Sequence, residues 1–264
     1  MEVRGTGGKW EFDKAAERGW FDAFKNFCVP TLESATILLE GNGLPDSQLI
    51  HARMALQFVR YALFHIEKAN ELGHHAIALS LLRQASDPLF LDECALIGDS
   101  EGKKALECWA TDQKMTMGKL RKNHSQQVWN NDGGSFLGHT WSKFLEEFYA
   151  SIQEYAHFNP TTLQWTLSPF QSERANGGRI VVSSHEWVYN AEQATRITLF
   201  QSILVYFLAR AIKTGSRILS KKANFAEREL KTYEHGLRQS RLIRLPFSWK
   251  RELLGMSFHA PKMH

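Results

Sequence analysis

A chain of 264 residues with 43% hydrophobic and 23% charged side chains is long enough to bury a sizeable core and too balanced for a disordered, collagenous or disulfide-stapled protein. Its three cysteines, Cys28, Cys94 and Cys108, lack any C-x-x-C spacing, which argues against a disulfide framework or zinc knuckle and points to a reducing, cytoplasmic compartment. The formal net charge is only +4, yet from Arg210 onward about thirteen Lys and Arg face about four Glu, so a basic C-terminal segment follows a slightly acidic body.

Taken in chain order, Met1 to Lys9 is polar and Gly-rich and lacks the apolar run of a signal peptide. Trp10, Ala15, Ala16, Trp20, Ala23, Phe24 and Phe27 fall at helical spacing, so a first helix is predicted over Trp10 to Cys28 and Pro30 marks its end. Thr31 to Leu39 reads as a shorter helix closed by Gly41-Asn42-Gly43. A long third helix follows, capped by Asp46 or Ser47 and carried to Gly73 by Leu49, Ile50, Met54, Leu56, Phe58, Val59, Leu63 and Ile66. His74 and His75 beside Gly73 read as a loop.

His75 to Ile97 is helical in pattern but contains Pro88, so a kink or break is predicted near Asp87. Asp99 or Ser100 opens a helix to about Lys122, Asn130 to Gly134 is a loop signal, and Trp141 to His157 is helical again. After Asn159-Pro160 the alternation of Leu163, Trp165 and Leu167 and the β-like Ile180 to Val182 predict a small β-hairpin or extended excursion near 162–184. Glu192 to Lys221 is a long helix, and Phe225 to Arg241 a last, basic one. The most apolar stretch, Ile197 to Ile212, contains Gln201 and Arg210 and is shorter than the roughly 20 residues of a membrane span, so it reads as a buried helix. The predicted architecture is therefore mostly α: a single domain over 1–264, a bundle of about seven or eight helices, with a basic C-terminal helix and tail from about 224.

Walker, dinucleotide-binding, H-E-x-x-H and G-x-S-x-G motifs are all missing, and no cofactor is expected. Arg60-x-x-x-x-His65 on the third helix has the spacing of HEPN-type ribonucleases, in which His acts as general acid or base while Arg steadies the phosphate. An Arg followed four to six positions later by His arises about twice by chance in a chain of this composition, and on a straight helix side chains five apart diverge by about 140°. Glu71-x-x-His74 and Glu154-x-x-His157 match the Glu-x-x-His pattern of di-iron bundles, with Glu33 and Glu107 as further donors, although both pairs fall at helix ends. A third group comprises Arg83, Ser86 and Asp87 at the predicted kink, with Glu154, Tyr155 and His157 at the end of the sixth helix. Arg83 and Asp87 are one turn apart and suited to an ion pair. The candidate catalytic residues are thus Arg60, His65, Arg83, Asp87 and His157. The candidate nucleic-acid contacts are Arg238, Arg241, Arg244, Lys250 and Arg251 of the basic segment.

The stretch Ala76-Ile-Ala-Leu-Ser-Leu-Leu-Arg83-Gln-Ala-Ser-Asp87, followed by Glu154-Tyr155-Ala156-His157-Phe158-Asn159-Pro160, resembles a group of uncharacterised bacterial helical proteins over roughly Leu49 to Lys213. In those, an Arg-x-x-x-acid helix precedes a Tyr-to-His-Pro-like helix end, an extended stretch and another long helix. Here Tyr155 stands only two residues before His157, Pro88 follows the acid, and Asn159 precedes Pro160. The resemblance implies a helical fold with distant kinship to HEPN domains, some of which are toxin or phage-defence ribonucleases. Three expectations result. The first is a nucleic-acid-associated protein of the defence or toxin type, a metal-independent ribonuclease among them, whose partner is RNA or another acidic molecule rather than a membrane. The second is a non-catalytic helical interaction protein forming a homo-oligomer, and the third a di-iron helical bundle.

Overall fold

The computed structural model describes residues 26–111, 116–132, 134–136, 139–153, 191–218 and 227–239. Among these the chain is mostly helical with one small antiparallel hairpin. Helix α1 (26–40) is followed by α2 (Asp46–Glu71), α3 (His75–Ile97), α4 (Ser100–Ala110), α5 (Met117–Gln127) and the single turn α6 (Trp129–Asp132). Strands β1 (Ser135–Phe136) and β2 (His139–Thr140) lead into α7 (Trp141–Gln153), and α8 (Ala191–Ile218) and α9 (Glu227–Gln239) complete the described bundle.

The organising element is α3. Every residue from Leu89 to Ile97 is buried, because α2 and α8 pack along it and α4, α5 and α7 close its remaining sides. A helix covered all round needs apolar side chains on every face, and Leu89, Phe90, Leu91, Cys94, Ala95, Leu96 and Ile97 supply them. The crossing with α8 is close: a Cβ on Gly215 would lie 2.0 Å from the Leu96 carbonyl oxygen. At the end of α3, Gly98 adopts φ 70°, the left-handed cap that glycine takes without steric cost. The Asn42 side-chain amide donates to the Ala95 and Leu96 carbonyls there. A buried polar junction ties α2, α3 and α8 together, where Asn70 Nδ2 donates to the Ala194 carbonyl (2.9 Å) and Thr198 Oγ1 (3.2 Å) and Asn70 Oδ1 meets His75 Nδ1 (2.9 Å).

The hairpin pairs Ser135 with Thr140 and Phe136 with His139. It delivers Phe136 into an aromatic cluster with Trp141, Phe144, Tyr206 and Phe207, and the Arg210 guanidinium lies 4.1 Å from the Trp141 ring centre. The excursion predicted near 162–184 lies outside the described residues, and the hairpin that is present falls just after the predicted loop at Asn130 to Gly134. The apolar stretch Ile197 to Ile212 is a buried core helix: α8 is long and apolar enough to cross a membrane, but 89% of its apolar window is buried within the fold.

Several boundaries differ from the sequence reading, for identifiable reasons. Helix α3 is continuous through Pro88. Packing on both sides holds it together, and the Ser86 hydroxyl donates to the Arg83 carbonyl (2.6 Å) just before the proline. Helix α1 likewise runs through Pro30. The helix predicted from Asp99 to Lys122 is two helices, since α4 stops at Thr111 and α5 starts at Met117. Asp99 does cap α4, accepting the Glu101 backbone N–H, whereas α2 begins at Asp46 without a side-chain cap. His75 is no loop residue. It opens α3, is buried, and is pushed by that burial and by the neighbouring His74 down to about 4, so it is neutral at physiological pH.

Candidate functional site

Helices α3, α5 and α7 diverge around a groove of about 810 Å³, a size typical of ligand sites. Its cations are Arg83 from α3, Arg121 and Lys122 from α5 and Lys143 from α7, and its apolar surface includes Phe90, Trp129 and Tyr149. The sequence spacing places Arg83 and Asp87 one turn apart on α3, and they pair at 3.2 Å (Nη1 to Oδ2). Arg121 approaches the other carboxylate oxygen at 2.9 Å, so a single aspartate is gripped by two guanidinium groups. Arg83 is further fixed by bonds from Nε to Gln153 Oε1 and from Nη1 to Ser86 Oγ, both 2.8 Å. Arg121 lies over the Tyr149 ring, 4.2 Å from its centre. With side-chain exposures of 11% and 15%, both arginines are held in fixed positions at the groove wall.

Behind this wall stands a second charged cluster. His124 of α5 is 1% exposed and places Nε2 3.0 Å from Glu93 Oε1 and Nδ1 2.9 Å from Asp99 Oδ1. Trp129 Nε1 donates to the same Glu93 oxygen at 2.6 Å. Burial alone would lower the His124 pKa, but hydrogen bonds and charge from Asp99 and Glu93 outweigh it and hold it at about 9, so the ring is an imidazolium at pH 7. Burial also opposes the ionisation of Asp99, yet bonding to His124 and to the α4 backbone keeps its pKa below the ordinary value. An imidazolium with both nitrogens committed to carboxylates has no free lone pair. It acts as an internal counter-ion that positions Glu93 and Trp129 at the groove.

The remaining candidates are placed as follows. Arg60 turns toward α1, donating to the Leu32 carbonyl (3.0 Å) and Thr36 Oγ1 (2.6 Å). Its charge also acts on Asp92, a buried residue of α3 whose carboxyl is pushed well above its ordinary pKa by that burial. His65 packs on Tyr61, with ring centres 4.2 Å apart, and on Phe64. The contacts of Arg60 and His65 therefore run to different neighbours. Of the di-iron candidates, Glu71 pairs with the exposed Lys68 at 2.8 Å and Glu33 and Glu107 are exposed. Among the described residues no group of three His, Cys, Asp or Glu is arranged to hold a metal. Glu154, His157, Arg241, Arg244, Lys250 and Arg251 lie outside the described residues, as does the side chain of Arg238, whose backbone belongs to α9.

The sequence reading found one wall of the groove, Arg83 with Asp87, and missed Arg121, Tyr149 and the Glu93–His124–Asp99 cluster. One signal was available: Asp92-Glu93 is an acidic pair inside an otherwise apolar helical run, and a buried carboxylate requires a partner. No family model matches the chain, and no curated protein or solved structure matches it either.

Proposed function

We propose that the protein is nucleic-acid-associated and binds RNA through the α3–α5–α7 groove. The observation that carries this reading is the pair of fixed arginines, Arg83 and Arg121, on the wall of a groove that also presents Lys122 and Lys143. Phosphates supply most of the affinity in such complexes, through Lys and Arg that displace condensed counter-ions. The basic C-terminal segment extends the cationic character of the chain. The test is binding of a labelled single-stranded RNA at rising salt. A steep loss of affinity is expected, and Lys122→Glu with Lys143→Glu should weaken binding by about tenfold or more. The same RNA incubated with chelator, alongside Arg60→Ala, His65→Ala and His157→Ala, reads out metal-independent cleavage. Absence of binding at low salt would remove the reading.

A second reading, a helical interaction protein that self-associates, is favoured by the outer face of α2. Ile50, Met54, Tyr61 and Phe64 there, with Leu72 just past its end, are all more than half exposed and recur at helical spacing. Sedimentation at high concentration tests it, and a strictly monomeric species would remove it.

A further inference from the structure

The groove is small for a polymer site. Its 810 Å³ is the scale of a small-molecule pocket, enough for the end of a strand and too little for a long stretch of one. Charge is also unevenly matched within it. With Glu93 and Asp99 set around the His124 imidazolium, the cations Arg83, Arg121, Lys122 and Lys143 face Asp87, Glu146 and Glu147, the last paired with Lys143 at 3.9 Å.

Several donors on the groove wall are unused. Arg83 Nη2 and Arg121 Nε and Nη2 meet no acceptor among the described residues, while Asp87 holds both guanidinium planes in place. Tyr149 lines the groove beneath Arg121, and its buried hydroxyl has no hydrogen-bond partner among the described residues. A hydroxyl left so in a packed site costs stability unless a ligand or a water completes it. Resting on the RNA reading above, we infer that the groove is an end-recognition site: Arg83, Arg121 and Tyr149 bind the terminal phosphate monoester of an RNA strand. Asp87 is the positioning residue that presents the two arginines.

The test compares one single-stranded RNA sequence in three forms, with a 5′-phosphate, with a 3′-phosphate and with hydroxyls at both ends. One phosphorylated form should bind about tenfold or more tightly than the hydroxyl form, the scale of added charge-assisted hydrogen bonds. Inorganic phosphate should compete with that form selectively. Arg83→Lys, Arg121→Lys and Tyr149→Phe should each reduce the preference, the phosphorylated form losing several-fold more affinity than the hydroxyl form. That form is the internal control, because a variant that fails to fold loses all three. Equal binding of the three forms overturns the inference and leaves the RNA reading standing, as does a preference that survives all three substitutions. Failure of every form to bind at low salt removes both.

Discussion

Two buried histidines give this protein opposite responses to pH, because their surroundings differ. His75 accepts its place in the core as a neutral ring, with its pKa lowered to about 4, whereas His124 sits between two carboxylates at about 9. Between pH 4 and the unfolded value of 6.5 the unfolded chain binds more protons at His75, so stability rises with pH there. For His124 the added stability is complete below 6.5 and is lost as pH rises through about 9. Each shift corresponds to on the order of 3 kcal/mol. Urea unfolding from pH 4 to 10 is therefore expected to give a stability maximum near 6.5, and His124→Gln should flatten the alkaline limb while leaving the His75 contribution in place. An imidazole resonance of His124 that titrates near 6.5 in the folded protein would contradict this account. The lowered Asp99 adds to the acid side, since its contribution is lost as pH falls through its folded pKa.

At the scale of elements, the contact between α3 and α8 is the most constrained crossing. The Cβ of any residue replacing Gly215 would meet the Leu96 backbone oxygen at 2.0 Å, and backbone cannot rotate away as a side chain can. Gly215→Ala is expected to cost about 3 kcal/mol or more, at or beyond the upper end of overpacking penalties, read as a lowered urea midpoint. Gly236→Ala is its control, because no described residue outside its own helix lies within 4 Å of a Cβ at that position. Helix periodicity made α2, α8 and α9 legible in the sequence to within a few residues, since one strongly patterned face decides such elements. It could not show α3 to be unbroken: Pro88 is locally unfavourable, and only partners far along the chain make the helix persist. Of the site, Arg83 with Asp87 was legible because the pair is local to one helix turn. Arg121 comes from 34 residues further on, and His124 joins Glu93 across 31, distances that carry no pattern.

Considered whole, the molecule seals its centre against chemistry as well as water. Burial raises the Cys28 thiol to about 12, helped by Glu67, and pushes Cys94 well above its usual value, with Glu93, Asp99 and Asp92 adding to the effect. Neither supplies a thiolate at pH 8, and the thiolate is the reactive form. A disulfide reagent at that pH is expected to modify Cys94 only at the rate of unfolding, accelerating with urea along the unfolding transition. Prompt modification in native buffer would mean that α3 is not enclosed. The enclosure has a further consequence for how the chain is made. The α2–α3 pair leaves the ribosome about a hundred residues before α8, the helix that covers it. Until α8 emerges, the nascent chain carries an uncovered apolar surface, so its synthesis includes an interval in which chaperone binding competes with aggregation.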